Sequence, residues 1–416
     1  MAEREGFFWP QRSNKAFSMG AGKHALTCSD CGLHRNVRSP KMKVTGKGKK
    51  KILFIAEAPG EEEDFRGVQL VGRVGEYFRD ILDDMGYDLD RDFFKINAIN
   101  CRPTNKSGAN RPPSGREVKA CRPRVWKTIT DVKPKVIIPM GQAAIDCLYG
   151  HRWKRRMGKI SQWIGWTIPD YDVNAWVCPT YHPSFAMRHE QRQGNAAEVL
   201  IRKHLKKAIA KRKKPLPERV DLRDMVKCLT SKKAVTKLLQ NILRNPPEWL
   251  VTDFETTGLK PHKQGHRILC VSVCWRRDKA YVFPMSCANK KLLRKVFRHR
   301  RIKKVAQKIN FEESWARTIL GYRIRPWGWD TMICNHVQDN RSGITSIKFQ
   351  GCVRYGVMDY ASHMRKWLET PKKLGANAMN DIENAPLDQL LVYCGCDSLL
   401  EFWLLEDQLR EMGVEQ

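Results

Sequence analysis

The chain has 416 residues, too many for one ordinary core, and predicts two or three domains. Lys and Arg number 76 against 44 Asp and Glu, a formal charge of +32 that exceeds what solubility needs, so a polyanion is the expected partner. No stretch approaches the roughly 20 apolar residues of a membrane span and Met1-Ala2-Glu3-Arg4-Glu5-Gly6 is no signal peptide, so no membrane partner is expected and most of the 14 Cys are expected as buried thiols in a reducing cytoplasm.

Cys28-Ser29-Asp30-Cys31 forms a Cys-x-x-Cys pair ahead of the first predicted strand, and Cys101 and Cys121 make a looser second pair. On spacing alone, zinc, an iron–sulfur cluster and coincidence all stay open. Lys51-Ile52-Leu53-Phe54-Ile55 reads as a buried strand running into Ala56-Glu57-Ala58-Pro59-Gly60 and the acids Glu61 to Asp64. There follow Gly67-Val68-Gln69-Leu70-Val71-Gly72, Ile96-Asn97-Ala98-Ile99-Asn100-Cys101-Arg102-Pro103, Pro134-Lys135-Val136-Ile137-Ile138-Pro139-Met140-Gly141 and Pro179-Thr180-Tyr181-His182-Pro183-Ser184.

This succession resembles the family 4 uracil-DNA glycosylases over residues 24–210. The resemblance implies a three-layer α/β/α sandwich with a mainly parallel sheet, ligands gathering at the carboxyl ends of its strands. It also implies a 4Fe-4S cluster held by Cys28, Cys31, Cys101 and Cys121. Asn97 would read the edge of a flipped base, His182 would stabilise charge on the departing uracil, and Glu57 with the Glu61 to Asp64 group would lie in a loop that contacts water and backbone. Leu70 occupies the base-pocket position where the family has a stacking Phe. Such stacking contributes on the order of 1–3 kcal/mol per base, so two readings follow: a weak uracil-excising enzyme, or a DNA-binding module that keeps the fold. Thr104 to Pro113 is expected as a flexible basic loop.

Lys203 to Pro217 begins as a basic helix and ends at two prolines, which stop it. Lys211, Arg212, Lys213 and Lys214 are the expected phosphate contacts, and Lys41 to Lys51, Arg152 to Arg156 and Arg294 to Lys304 are further basic stretches. Residues 211–247 read as a basic linker and helical lead-in.

Leu250-Val251-Thr252-Asp253-Phe254-Glu255-Thr256-Thr257-Gly258 reads as an apolar strand with two acids two residues apart, hence on one face, closed by a Gly-containing turn. A divalent cation is the natural guest of such a pair. Phe311-Glu312-Glu313 and Trp329-Asp330-Thr331-Met332 each begin a stretch of helical periodicity, and on the predicted helix from Leu387 to Asp397, Tyr393 and Asp397 share a face.

The order Asp-x-Glu, Phe-Glu, Tyr-x-x-x-Asp resembles the Tyr subtype of the DEDD 3′-5′ exonucleases, in particular the proofreading domain of family A DNA polymerases, over residues 248 to 410. The resemblance implies a ribonuclease H-like α/β fold in which Asp253, Glu255, Glu312 and Asp397 hold two Mg2+ or Mn2+ ions and Tyr393 orients the attacking water. Lys308 and Glu312 replace the family's Asn and Asp at the second motif; the longer carboxylate still reaches a metal, with more rotamer freedom and an expected slower rate. Asp330 is expected to be structural.

The expected organisation is thus an N-terminal extension (1–23), a glycosylase-like iron–sulfur domain (24–210), the linker (211–247) and the exonuclease (248–416). The expected function is DNA processing on single strands or 3′ ends, proofreading in trans beside a separately encoded polymerase or trimming ends in repair. Such a fusion suits a bacteriophage replication gene. The rivals are a non-catalytic DNA-binding scaffold and a DEDD nuclease acting on RNA.

Overall fold

The computed structural model describes residues 26–153, 155, 157–193, 196–369, 375 and 378–414. The extension expected over 1–23 lies outside them, as do Lys154 and Arg156 of one basic stretch. The chain forms two compact units, residues 1–218 with 352–359, and residues 219–351 with 360–416. Among the described residues no helix is long and apolar enough to cross a membrane.

The first unit is built on β1 (Ile52–Ala56), β2 (Phe93–Asn97), β3 (Val136–Pro139), β4 (Ile168–Asp170) and β5 (Ala175–Val177), in the order β2-β1-β3-β5-β4 with only β4 antiparallel. The unbroken apolar run of β1 is what a central parallel strand needs, because both of its faces are covered. Ile52, Phe54 and Ala56 pack on one face with Phe78, Ile81 and Leu82 of the helix Arg73–Asp84 and with Ile201 and Leu205 of the helix Ala196–Lys211. Leu53 and Ile55 are fully buried on the other. In register, Ala56 pairs with Asn97 and Ile55 with Pro139, and a bridge joins Met140 to Thr180. Glu57, Asn97, Gly141 and His182 therefore all leave or follow strands at the carboxyl edge of this sheet.

Two local expectations change. Glu61–Arg66 is a helix, with Glu63 accepting from the Gly60 and Leu70 N–H groups at 2.5 Å each, and Asp64 accepting from Arg38 and Ser39 at 3.1 and 2.9 Å. These two acids anchor backbone. The segment from Thr104 to Pro113, read as a flexible loop, is tied: Asn105 Oδ1 accepts from the Ser107 and Ala109 N–H groups, both at 3.0 Å, and Arg111 pairs with Glu117. Asn and Arg side chains here supply the backbone partners that a loop otherwise takes from water.

The second unit carries β6 (Val226–Cys228), β7 (Trp249–Thr256), β8 (Ile268–Cys274), β9 (Ala280–Pro284), β10 (Lys303–Ala306) and β11 (Trp327–Asp330), in the order β11-β10-β7-β8-β9-β6. β7 runs parallel to β10 and antiparallel to β8, opposing Asp253 to Ser272 and Glu255 to Cys270. The helix Leu387–Glu411 crosses β6, β7, β8 and β9. Residues 219–247 are part of this unit: β6 is an edge strand paired with β9, and the helix Lys232–Arg244 places Val235, Leu239 and Ile242 in the core with Leu250 and Phe254. Trp329 and Asp330 close β11, and the helix expected to begin in Trp329-Asp330-Thr331-Met332 starts at Thr331. Asp330 then caps the helix Thr331–Gln338 by accepting from the Met332 and Ile333 N–H groups, and it also accepts from Ile309 at 2.8 Å.

Candidate functional site

In the second unit, β7 turns Asp253 and Glu255 to one face, toward the helix Leu387–Glu411. Asp253, Glu255 and Cys394 offer ligand atoms within 4.8 Å of one another, with Cys394 Sγ 3.6 Å from Asp253 Oδ2. The helix Ile309–Trp315 brings Glu312, 3% exposed, whose Oε2 is buried without a hydrogen-bond partner. Asp397 lies one turn beyond Tyr393, and both are buried. Asp253 is the partly exposed member.

Massing these acids away from water has the expected electrostatic result. Burial, reinforced by the Asp397 charge, pushes Asp253 up to about 7. Burial, then the Asp253 charge, raises Glu255 and Glu312 well above the carboxylate range. A fifth acid, Glu401, four residues past Asp397, is raised for the same two reasons and accepts from the Thr331 hydroxyl at 3.2 Å. Buried like charges with an orphaned oxygen are a site short of positive charge. The Cys394 thiol, which burial raises well above its usual range, stays the protonated neighbour, and the carboxylate oxygens are the ligands that fit divalent ions.

Sequence reasoning missed the cation already there. Lys348, on the helix Ile347–Tyr355, pairs with Asp397 Oδ2, while the Tyr360 hydroxyl donates to Oδ1. Its Nζ lies 4.9 Å from the Tyr393 ring centroid and 5.6 Å from that of Tyr360. Nothing local in the sequence ties Lys348 to Asp397, 49 residues away. Glu401 did have a signal, the i,i+4 spacing from Asp397.

In the first unit, Asn97 is fully buried at the end of β2, and neither of its amide atoms has a hydrogen-bond partner. Gly141, at φ +89°, lies between the other two polar groups: a Cβ there would stand 3.4 Å from His182 Cβ and 3.8 Å from Glu57 Oε2. Burial raises Glu57 and lowers His182 to about 4, with Arg188 opposing the first shift and adding to the second. His182 Nδ1 lies 2.8 Å from Ser184 Oγ and 3.3 Å from the Ser184 N–H, contacts that favour the neutral tautomer with its proton on Nε2. Leu70, at φ +54°, is 2% exposed and packs in the core with Phe54 and Phe78.

Cys28 and Cys31 lie on one short helix, turned off by Gly32 at φ +73°. Together with Cys101 and Cys121 they are within electrostatic reach of one another, and burial is the main cause that raises Cys31, Cys101 and Cys121, the last to about 11. The Lys41 N–H donates to Cys101 Sγ at 3.2 Å and the Asn100 N–H to Cys121 Sγ at 3.4 Å. Arg111 and Arg124 add positive charge beside Cys31 and Cys101. Four thiols, backbone donors to sulfur and nearby cations fit an anionic iron–sulfur cluster.

The basic run after the helix Ala196–Lys211 is unevenly committed. Lys211 Nζ stands 3.6 Å over the Trp176 ring centroid, and the Lys214 carbonyl accepts from Trp176 Nε1 at 3.0 Å. Lys213 and the side chain of Lys214 are exposed, and Arg212 is half-buried.

Comparison with known proteins gives both halves a context. The profile of the uracil DNA glycosylase superfamily matches residues 43–211, and that of a 3′-5′ exonuclease family matches residues 205–412. The type-4 uracil-DNA glycosylase of Saccharolobus solfataricus is 32% identical over 164 residues, 38% of this chain and 72% of that protein. A DNA polymerase of Bacillus phage SP01 is 24% identical over 325 residues, 72% of this chain and 34% of that protein. Among solved structures, NrnC of Brucella melitensis with bound Mg2+ aligns at 19% identity and a TM-score of 0.32, covering 45% of this chain and 84% of that one.

Proposed function

The chain belongs to the type-4 uracil-DNA glycosylases over its N-terminal half and to the 3′-5′ exonucleases over its C-terminal half, and from that premise we propose that it removes nucleotides from DNA 3′ ends at the Asp253 site. The observation that carries this reading is the mutual electrostatic reach of Asp253, Glu255, Glu312 and Asp397, with one Glu312 oxygen buried and unpartnered. Asp253, Glu255, Glu312 and Asp397 would hold two Mg2+ or Mn2+ ions, which supply a nucleophilic water at neutral pH and stabilise the departing 3′ oxygen. Tyr393, kept neutral by burial and by the Asp397 charge, would orient that water through its hydroxyl. The protein contributes position and charge, and no protein nucleophile is needed.

The N-terminal unit would engage DNA and receive an extruded base. Asn97 supports this, since an amide with neither atom satisfied is costly to bury and is matched by the Watson–Crick edge of uracil. Neutral His182 would donate from Nε2 to the oxygen on which charge grows as the glycosidic bond breaks, with Glu57 beside it. Cys28, Cys31, Cys101 and Cys121 would hold a 4Fe-4S cluster in a structural role, and Arg212, Lys213 and Lys214 would meet phosphates. The alignment with the phage DNA polymerase covers 72% of this chain, more than either matched region alone, and so supports a link between this chain and a polymerase. A DNA polymerase is accordingly the proposed partner.

One experiment separates the two activities. A 3′-protected and an unprotected single-stranded oligonucleotide, each with one uracil and a 5′ label, are incubated with the full chain with and without EDTA. Ladder shortening that vanishes in EDTA and in Asp253→Ala supports the exonuclease site; Asp253→Ala digesting at the parental rate would overturn it. Alkali-labile product in EDTA, lost in His182→Ala, supports excision. Intact uracil with retained DNA leaves the binding-module reading.

A further inference from the structure

Lys348 is the one cation that pairs with any of the four carboxylates among the described residues. Its ammonium is bonded to Asp397 and lies beside both the Tyr393 and Tyr360 rings, with the side chain 16% exposed. The placement is locally unfavourable. Lys348 is in the first turn of its helix, where the peptide dipoles disfavour a cation, and that turn carries no acid. A sequence that breaks a local rule at a reactive centre points to a role there.

We propose that Lys348 is a positioning residue that couples metal loading to arrival of the DNA 3′ end, by competing with a divalent ion for Asp397 until a phosphate draws it away. This rests on the exonuclease reading above. Both Asp397 oxygens are engaged, Oδ1 by a neutral hydroxyl and Oδ2 by the ammonium. A hydroxyl on one oxygen is compatible with a cation on the other. An ammonium at hydrogen-bond distance from the same carboxylate is not, since it repels a divalent charge a few ångströms away in a site largely shielded from water. The long lysine stem allows Nζ to change partner without moving the helix. A DNA phosphate offers the anionic partner, so each ligand relieves the obstacle to the other. Linkage then requires the effect to be reciprocal: DNA tightens metal binding by the factor by which metal tightens DNA.

The test is Mn2+ binding to the full, cluster-bearing chain, followed by the spin-resonance signal of free Mn2+, with and without a short single strand whose 3′ linkages are phosphorothioates. For the parent, the weaker Mn2+ site should tighten at least about tenfold when the oligonucleotide is present, a coupling of the usual allosteric size. In Lys348→Met that site should be tight without DNA, and the oligonucleotide should add less than about twofold. Lys348→Arg, which keeps the charge, and Tyr360→Phe, which removes only the neutral donor, should both retain the DNA-dependent gain. Each variant's circular dichroism and melting are compared with the parent's. A folded Lys348→Met that binds Mn2+ like the parent in both conditions overturns the proposal. If Asp253→Ala keeps both Mn2+ sites, the carboxylate site itself is misassigned; if it loses them while Lys348→Met behaves as parent, only the coupling fails.

Discussion

Gly395→Ala should separate helix stability from active-site geometry. Gly395 lies on the long C-terminal helix between Tyr393 and Asp397, facing the edge strand β6. A Cβ on it would stand 2.3 Å from Val226 Cγ1 and 3.0 Å from Cγ2. Val is stiff at χ1 and cannot fold its methyls away cheaply. In an exposed helix the change to Ala would stabilise by about 0.8–1.0 kcal/mol, whereas an extra carbon in a packed interior costs about 1–3 kcal/mol. The overpacking wins by roughly 1 kcal/mol, or about 2–4 °C of melting temperature for a unit of this size. The rate should suffer more. If the long helix gives way by about 1 Å and not the edge strand β6, Tyr393 and Asp397 move with it, and a displacement of that order can cost about 100-fold in rate. Nucleotide release from a labelled single strand at saturating Mg2+, beside a thermal melt, measures both. Val226→Ala on the same chain should restore most of the rate. A Gly395→Ala protein that melts higher than the parent and digests at the parental rate would show that the contact does not position the site.

Two further outcomes follow from the titrating groups. Because Asp253 is raised from 3.8 to about 7, mainly by burial, the folded metal-free protein holds a proton that the unfolded chain releases above 3.8. The share of stability that Asp253 contributes should therefore fall as pH rises across that window and level off above about 7, while Glu255, Glu312 and Glu401, raised in the same direction, extend the loss; Asp253→Asn should make the fall between melts in EDTA at about pH 5.5 and about pH 8 smaller than the parent's. Stabilisation by added Mn2+ should run the other way, growing as pH rises through about 7, because the ion needs the ionised carboxylate. For the N-terminal unit, anaerobically purified protein should carry the broad visible absorption of iron-bound thiolates, and Cys121→Ser should lose it; a colourless parent with stoichiometric zinc would refute the cluster assignment.

The parts of the site legible in the sequence are those set by short periods. Asp253 and Glu255 fall on one face because a strand repeats every two residues, and Tyr393 and Asp397 because a helix repeats near four. The apolar run Ile52–Ala56 is legible for a related reason, since only a strand covered on both faces has no polar alternation. What short periods cannot supply is the arrival of side chains through tertiary packing. Val226 sits in a segment whose prolines and basic residues resemble a linker, yet its strand completes the sheet edge that Gly395 touches. Lys348 reaches Asp397 from 49 residues away, and its helix shows no periodic mark of that contact. Leu70 looks like a simple replacement of a stacking aromatic, but its side chain lies within the core and its backbone is left-handed. A larger ring there has to displace packed neighbours before it can reach a base.

Glu401 marks the boundary between these two kinds of information. Its spacing from Asp397 obeys the same rule that pairs Tyr393 with Asp397, so position on the inner face was readable. Its chemistry was not, because a glutamate on a helix is ordinarily solvated, and only the fold buries this one to 2% exposure. There the Thr331 hydroxyl lies 3.2 Å from its Oε1 and 3.0 Å from Gln307 Oε1, one proton shared between two acceptors, and burial followed by the Asp253 charge holds Glu401 well above the usual carboxylate range. Burial therefore disfavours ionisation of this acid, as it does of Glu255 and Glu312, wherever no cation offsets the charge. Glu312 stands in the same field, with Glu401 among the charges that raise it. A cation bound among these acids would lower the cost of ionising each of them, so the buried carboxyls and a divalent ion stabilise one another.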